Sequence, residues 1–363
     1  MKKKILALLL SAACLFAFAA PAYAMEFEQA PTPRWFRPLA AELFYMYQGI
    51  SNGNVFNDSL LVLHEGKIVY ERYACGRDES TAQPMFSVTK SVLSAMVGVA
   101  IGDGYITGVD QKVIGFFPDA VIEPGQESKR DMTIEHLLQQ RSGLPGDSDD
   151  GHVIWWEAED TGLAALMTPQ HSAPGTRFSY SSGPGCQTLS AVIQRAAGMN
   201  LFEYAQLKLF GPLGMDSVVW DAPEDGLNYG GFGISMTPRD MLRFGYLFLN
   251  NGNWNGQQII PADYVAASAP PAGTNHGYLF WEYLNQPRHS QSYSASGAFG
   301  QFIIVMPEHE VVIVRTGSPG PMTRTVNRLA YESALFEFLF MSLVLPLTPL
   351  NGVPLDYFRG MIS

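Results

Sequence analysis

A serine and a lysine lie three residues apart at the start of an apolar helical pattern. Ser87 and Lys90 belong to the stretch PMFSVTKSVLSAMVGVAIGDG, which spans residues 84–104. Side chains three residues apart are neighbours on a helix surface, so the two groups would lie close together. Burial disfavours the protonated form of an amine. A buried Lys90 could therefore accept the proton of the Ser87 hydroxyl, which predicts a nucleophilic serine with a lysine as its base.

The same pair also has a purely structural interpretation. Lys90 could extend along an amphipathic helix and place its ammonium group in water. What favours catalysis is the context of the pair. Val88, Val92 and Ala95 form one apolar stripe of the predicted helix. The start of that helix would also place the Ser87 N–H where it can stabilise a developing oxyanion.

A second segment supplies candidate partners for this pair. Tyr180 and Ser182 lie in PGTRFSYSSGPG, between a Pro-Gly turn and a predicted helix. A phenol beside Lys90 could pass a proton to a leaving group, and the Ser182 hydroxyl could bind Lys90 or the substrate. The structural alternative is a tyrosine that is simply packed in a loop.

A third segment could line the site with backbone. Ser296, Gly297 and Ala298 lead into a strand in YSASGAFGQFIIV, and glycine permits a close approach of another backbone or of a ligand. The N–H of Ala298 could then contribute to an oxyanion hole. A glycine-rich strand entry without a ligand is the alternative.

The elements that must position these residues fall into two groups. Residues 59–74 and 301–317 both predict β-hairpins, and a helix at 324–341 would cover the resulting antiparallel sheet. Between them lie helical patterns with Thr133 and Asn200 as caps; the second ends at Gly211-Pro212, and a later helix starts at Thr237. We therefore predict an α/β (α+β) protein with a sheet domain at residues 25–105 and 230–363. A mainly helical domain at residues 106–229 would be inserted into it.

The beginning of the chain indicates export. Residues 1–24 have a basic start, an apolar run and a final Ala-x-Ala, the pattern of a cleaved signal peptide. We expect a periplasmic or secreted protein with no membrane span in the mature chain. Cys75 and Cys186 would remain after cleavage, and the sequence leaves open whether they pair.

Charge and residue spacing argue against several classes of partner. The formal net charge of −11 disfavours binding to nucleic acid. The histidines and cysteines show no metal-ligand spacing, so we expect neither a metal nor an organic cofactor. The expected partner is a small-molecule ester or amide, and the sequence does not fix the oligomeric state.

Several sequence motifs, and their order along the chain, resemble those of the serine β-lactamase and penicillin-binding-protein superfamily, in its class C-like, esterase-like branch. Within it, the chain is most similar to the group that includes 6-aminohexanoate-dimer hydrolases. The resemblance covers nearly all of the mature chain and implies a β-lactamase/transpeptidase-like fold. The phrases that carry it are MFSVTKSV, IGDGYI, IEHLLQQRSGL, PGTRFSYSS, LFGPLGM, GISMTPRDMLRFGYLFLNNGNWNGQQIIP and GAFGQFIIVMPE.

The resemblance implies roles for single residues. Ser87 would be the acylated nucleophile, Lys90 its base, and Tyr180 the tyrosine of a Y-x-N element in which Ser182 replaces the asparagine. Ala295 stands where the family has a lysine or histidine that pairs with a substrate carboxylate. Its loss should weaken recognition of β-lactams, unless an arginine compensates; the candidates are Arg288, Arg315 and Arg324.

The interpretation is an exported serine hydrolase that cleaves an ester or amide through a Ser87 acyl-enzyme. One alternative is a β-lactamase or D-alanyl-D-alanine carboxypeptidase, and another is a noncatalytic binding or sensor protein of the same fold. Large aromatic residues are candidates for an apolar substrate cleft, although such residues more often belong to the core. They are Trp155, Trp156, Phe232, Trp281, Tyr283 and Phe299.

Overall fold

The computed structural model describes residues 26–31, 55–149, 155–271, 274–282 and 292–319. In these residues, an antiparallel sheet of six strands joins segments from both ends of the described chain. The strands of this sheet are β1 (Val55–His64), β2 (Lys67–Tyr73), β8 (Trp281–Glu282), β9 (Tyr293–Gly297), β10 (Gln301–Met306) and β11 (Val311–Pro319). Their order across the sheet is β2-β1-β11-β10-β9-β8.

Both predicted hairpins are confirmed. The first turns at Glu65 and Gly66, whose φ angles of 49° and 73° are those of a tight two-residue turn. The second turns through Pro307–His309. Strands β1 and β11 pair along their length, so the N-terminal and C-terminal hairpins form one continuous sheet.

The remaining strands form two small sheets. One has the order β3-β5-β4, and the other is a β6–β7 hairpin. These strands are β3 (Gln83–Pro84), β4 (Val219–Trp220), β5 (Ile234–Met236), β6 (Asn253–Trp254) and β7 (Gln257–Gln258).

The helix that begins after Ser87 lies in the centre of the molecule. Every residue from Val88 to Ala100 is buried, which includes Lys90 and Ser94. Neighbours close on it from several sides: a Cβ at Gly98 would lie 2.6 Å from side-chain atoms of Ile260 and of Tyr264. The predicted apolar stripe is therefore one face of a helix that is buried all round.

Helices cover the sheet and form the middle of the chain. They are α1 (Val88–Gly102), α2 (Ile134–Leu138), α3 (Thr161–Met167), α4 (Pro184–Ala197), α5 (Leu201–Ala205), α6 (Gly211–Leu213), α7 (Pro238–Leu249) and α8 (Ala262–Ser268). The predicted caps are confirmed, since the side chains of Thr133, Asn200 and Thr237 accept hydrogen bonds from the first turns of α2, α5 and α7.

One predicted helix end is wrong. The chain stays helical through Gly211 and Pro212 and stops at Gly214, which has a φ of 68°. A π-helical turn at Gln206–Phe210 precedes the proline and shifts the hydrogen-bond register. The missing N–H of Pro212 is therefore accommodated without ending the helix.

Several predictions fall outside the described residues. The signal peptide at residues 1–24 and the helix at residues 324–341 are among them, and the domain division remains a prediction. No helix among the described residues is long and apolar enough to cross a membrane. The two cysteines, left open above, are both free thiols: Cys75 is exposed and Cys186 is buried.

Candidate active site

Ser87 stands at the N-cap of α1, where its hydroxyl is available for chemistry. The side chain makes no capping hydrogen bond to the helix. No described residue accepts a hydrogen bond from the Ser87 N–H. The preceding residue, Phe86, has a φ of 49°, a strained conformation for a bulky side chain. Strain of this kind is frequent at functional sites, where the surrounding structure maintains it.

Lys90 is buried and makes three hydrogen-bond contacts. Only 3% of its surface is exposed, so its amine does not reach bulk water. The Nζ atom lies 3.0 Å from Ser87 Oγ, 2.8 Å from Ser182 Oγ and 2.9 Å from the carbonyl oxygen of Gly231. The geometry excludes the interpretation of Lys90 as a solvent-facing helix residue.

Ser182 connects Lys90 to a carboxylate that the sequence analysis did not identify. Asp147 Oδ2 accepts a hydrogen bond of 2.6 Å from Ser182 Oγ, and Asp147 Oδ1 accepts one of 2.6 Å from the Ser182 N–H. The two residues are 35 positions apart, and an aspartate in a Gly-Asp-Ser loop carries no catalytic signature of its own. The structure therefore adds Asp147 to the site.

A glycine pair allows another backbone segment to reach Lys90. A Cβ at Gly231 would lie 2.1 Å from the carbonyl oxygen of Ser182, and one at Gly230 would lie 2.1 Å from that of Cys186. Larger residues at these positions would push the Gly231 carbonyl away from the amine. The sequence signal was the Gly-Gly doublet in NYGGFG, which the sequence analysis did not use.

Tyr180 approaches Lys90 with its ring face. The Nζ atom lies 4.7 Å from the ring centroid, a distance at which the ring attracts a cation. Trp281 also packs on Tyr180, with ring centroids 5.6 Å apart. The hydrogen bonds among the described residues do not include the Tyr180 hydroxyl. An ammonium group formed on Lys90 is therefore stabilised by this ring.

The entry to β10 lies against the start of α1. A Cβ at Gly297 would lie 3.3 Å from the Ser87 nitrogen and 2.4 Å from the carbonyl oxygen of Met85. Only glycine permits this approach, which brings the Gly297–Ala298 peptide beside Ser87. Ser296, one residue earlier on β9, is partly exposed next to it.

A buried arginine supports the turn that follows Ala298. Arg315 Nη1 donates to the carbonyl oxygens of Phe299, at 3.1 Å, and of Gly300. Its Nε donates to Asn57 Oδ1 at 2.9 Å. Phe299 has a φ of 60°. The arginine therefore fixes the conformation of the segment that would carry the second oxyanion donor.

The suggestion that Arg315 compensates for the uncharged Ala295 is therefore wrong. Arg315 is 2% exposed and donates to carbonyl oxygens beneath the turn, so it does not reach a substrate carboxylate. Ala295 is itself fully buried. The other two candidates, Arg288 and Arg324, lie outside the described residues.

A cleft of about 460 Å³ opens beside Ser182. Asp147 and Ser182 line it, and Ser182 connects it to Lys90. Three of the predicted aromatic residues line it too: Trp155, Trp156 and Phe232. Tyr229 is a fourth aromatic wall and stacks on Phe232 with centroids 4.7 Å apart. The other predicted cleft residues are placed differently: Trp281 packs on Tyr180, Phe299 packs on Phe86, and Tyr283 lies outside the described residues.

Behind Trp281 lies a histidine that burial keeps neutral. The ring centroids of His276 and Trp281 are 4.9 Å apart. Burial lowers the pKa of His276 to about 3. In the unfolded chain the imidazole titrates near its ordinary value, so between about pH 6.5 and pH 3 only the unfolded state binds this proton.

We expect His276 to make the free energy of unfolding decrease as the pH is lowered. The contribution of its neutral form is fully present above about pH 6.5 and is lost progressively as the pH falls towards 3. In His276→Gln, the loss of unfolding free energy between pH 7 and pH 5 should be smaller than in the wild type. Urea unfolding at both pH values measures this, and equal losses in the two proteins would show that His276 does not contribute.

The sheet, the helices packed on it and the Ser–Lys pair at the start of a buried helix together define a β-lactamase/transpeptidase-like fold. A family model described as beta-lactamase matches residues 34–334. The chain belongs to the beta-lactamase family, and hydrolysis is the activity class of that family.

Known proteins with different names and activities are similar to this chain. The 6-aminohexanoate-dimer hydrolase of Paenarthrobacter ureafaciens is 26% identical over 294 residues, which cover 74% of each chain. A penicillin-binding-protein homologue from Caulobacter crescentus superposes with a TM-score of 0.65 at 17% identity, covering 87% of this chain and 99% of that one. A family VIII carboxylesterase superposes with a TM-score of 0.67 at 16% identity, with the same coverage. The structural matches establish the fold.

Proposed function

We propose that the protein is an exported serine hydrolase that cleaves an ester or amide bond through an acyl-enzyme on Ser87. The observation that carries this proposal is the position of the Lys90 amine, buried 3.0 Å from Ser87 Oγ. Export rests on the sequence pattern of residues 1–24.

Acylation begins when Lys90 takes the proton of the Ser87 hydroxyl. The Ser87 oxygen forms a bond to the substrate carbonyl carbon, and the carbonyl oxygen becomes an oxyanion. The Ser87 N–H and the Ala298 N–H would stabilise this charge, as backbone donors do in acyl transfer. The leaving group departs with a proton from the Lys90–Tyr180 pair, and the acyl group remains on Ser87.

Deacylation repeats these steps with water as the nucleophile. Water gives its proton to the neutral base, its oxygen bonds to the acyl carbon, and the Ser87 oxygen leaves and regains a proton. The same residues act in both halves of the reaction.

The surroundings of the pair indicate the class of substrate. The four aromatic side chains that line the cleft beside Ser182 favour an apolar group in the part of the substrate bound there. At position 295 a buried alanine replaces the charged residue that the resemblance leads one to expect. We therefore favour aryl and alkyl esters and short amides over substrates that need a carboxylate contact.

A substrate panel tests the proposal. It compares p-nitrophenyl esters, short linear amide oligomers, D-alanyl-D-alanine peptides and a chromogenic cephalosporin, each with the wild type and with Ser87→Ala. We expect the highest kcat/KM for an ester or a short amide. Cephalosporin or D-alanyl-D-alanine turnover that equals or exceeds ester turnover would support the β-lactamase or carboxypeptidase alternative. One burst of product without further turnover would support the binding or sensor alternative.

Tyr180→Phe should slow turnover without removing the nucleophile. Phenylalanine retains the ring face over Lys90 and loses the hydroxyl that would donate the proton. We expect kcat for a poor leaving group to fall by roughly 10²-fold or more, and kcat for p-nitrophenol, which needs no proton, to fall much less. Equal rates of the variant and the wild type on both substrates would remove the Tyr180 hydroxyl from the mechanism.

A further inference from the structure

A chain of four side chains runs from the protein surface to the nucleophile. Asp147 contacts Ser182, Ser182 contacts Lys90, and Lys90 contacts Ser87. The first contact is 2.6 Å long, and the next two are 2.8 and 3.0 Å. The acyl-transfer chemistry proposed above gives no role to Asp147.

The hydrogen-bond capacities of these groups fix the directions of the contacts from Asp147 to Lys90, and those of the neutral amine fix the contact with Ser87. An ionised carboxylate only accepts, so the Ser182 hydroxyl must donate its single proton to Asp147. The Ser182 oxygen is then an acceptor towards Lys90. The carbonyl oxygen of Gly231 is a second acceptor, 2.9 Å from the amine. A neutral lysine has two N–H groups and one lone pair, and these two acceptors take both N–H groups.

We propose that Asp147 is a positioning residue that acts through Ser182 to direct the lone pair of neutral Lys90 at the Ser87 hydroxyl. This inference rests on the proposed function, because it concerns the proton transfer that activates Ser87. No covalent bond changes at Asp147. Its carboxylate accepts the hydrogen bond of the Ser182 hydroxyl, so that the lone pair of Lys90 is available to the Ser87 hydroxyl.

Because residue 182 is a serine, a carboxylate such as that of Asp147 is needed to orient its hydroxyl. A serine hydroxyl can either donate to Lys90 or accept from it, and if it donated, it would compete with Ser87 for the lone pair. The asparagine that Ser182 replaces in the Y-x-N element would offer a carbonyl oxygen, which only accepts. Because Asp147 binds the Ser182 proton, the Ser182 oxygen likewise acts only as an acceptor towards Lys90. Its second oxygen also fixes the Ser182 backbone through the Ser182 N–H.

Asp147→Asn tests this directly. The amide oxygen can keep the hydrogen bond from the Ser182 N–H. The amide NH₂ takes the place of Oδ2 and cannot accept the proton of the Ser182 hydroxyl. The Ser182 proton must then turn towards Lys90. We expect kcat for a p-nitrophenyl ester to fall by roughly 10–100-fold, the effect of one charge-assisted hydrogen bond, with KM changed less than about threefold. The rate at which a fluorophosphonate labels Ser87 should fall by the same factor.

A double-mutant cycle separates positioning from a structural role. In a Ser182→Asn or a Ser182→Ala background there is no hydroxyl to orient, so adding Asp147→Asn should reduce kcat by less than about threefold. The labelling rate provides the same comparison if either background turns over too slowly. The same loss from Asp147→Asn in the wild type and in both backgrounds would overturn the proposal, as would unchanged kcat in the wild-type background.

Two controls keep the outcomes distinct. Asp131→Asn removes an exposed carboxylate that pairs with Lys112 at 3.2 Å, and it should leave kcat unchanged. Melting temperatures of all variants show whether each is folded. If the wild-type protein hydrolyses no ester or amide and Ser87 is not labelled, the proposed function fails. If Ser87 is labelled but the cycle shows no coupling, only the role of Asp147 fails.

Discussion

Ser87→Ala should abolish hydrolysis and covalent labelling while leaving the fold intact. In the proposed mechanism the Ser87 oxygen forms the acyl bond. Among the described residues, the other hydroxyl in hydrogen-bond contact with the Lys90 amine is that of Ser182, which donates to Asp147. We expect kcat/KM to fall by roughly 10³-fold or more, because covalent catalysis is lost and only binding and oxyanion stabilisation remain. Mass spectrometry after a fluorophosphonate probe should find one adduct in the wild type and none in the variant.

The melting temperature is the control for this variant. Ser87 makes no capping hydrogen bond, and Lys90 keeps its contacts with Ser182 and Gly231, so loss of the Ser87 hydroxyl should change stability by about 1 kcal/mol. Ser80→Ala, which alters an exposed serine bonded to Asp78, is a matched substitution outside the site and should retain full labelling. Labelling of Ser87→Ala at the wild-type rate would refute the assignment of the nucleophile.

Lys90→Met should remove activity almost as completely. Methionine fills most of the space of the lysine stem but has no basic group, so nothing accepts the Ser87 proton. We expect kcat/KM to fall by roughly 10²–10⁴-fold, the range that positioned general bases contribute. The remaining activity should rise with pH, since hydroxide would have to replace the missing base. Rates for a p-nitrophenyl ester between pH 6 and pH 9 measure both effects.

A comparison with another lysine separates catalysis from general loss of charge. Lys67→Met removes an amine that is half exposed and lies 2.8 Å from Glu28, and it should keep normal turnover. The Lys90 variant loses hydrogen bonds to Ser182 and Gly231, so its melting temperature should be measured beside its activity. Near-normal turnover of a folded Lys90→Met protein would make Lys90 a structural residue.

The sequence was informative where the signal is local. The hairpins were predicted from alternation and from turn residues such as Glu65-Gly66, and the caps of α2, α5 and α7 from single hydroxyl or amide side chains. The Ser–Lys pair is also local, because three residues on one helix fix the separation of the two groups. The end of α6 was mispredicted, because the π-helical turn that accommodates Pro212 leaves no clear mark in the sequence.

The rest of the site depends on segments that are distant along the chain. Gly231 is 141 residues from Lys90, and Asp147 is 35 residues from Ser182. The Gly-Gly doublet marks Gly231 as a place of close backbone approach but does not name its partner, and the Gly-Asp-Ser loop of Asp147 carries no catalytic signature. The burial of Arg315 beneath the Phe299–Gly300 turn is of the same kind, since a strand pattern does not say which of its polar residues reaches a carbonyl.

For this protein, the sequence by itself determined the family resemblance, the two hairpins, the caps of three helices, and the pairing of a hydroxyl with an amine one helical turn away. Only the tertiary structure decided that the Lys90 amine is buried, and which groups accept its hydrogen bonds. The physical reason is that helix geometry is set by bonds between near neighbours. Desolvation and hydrogen-bond direction, in contrast, depend on every group that surrounds the amine in space.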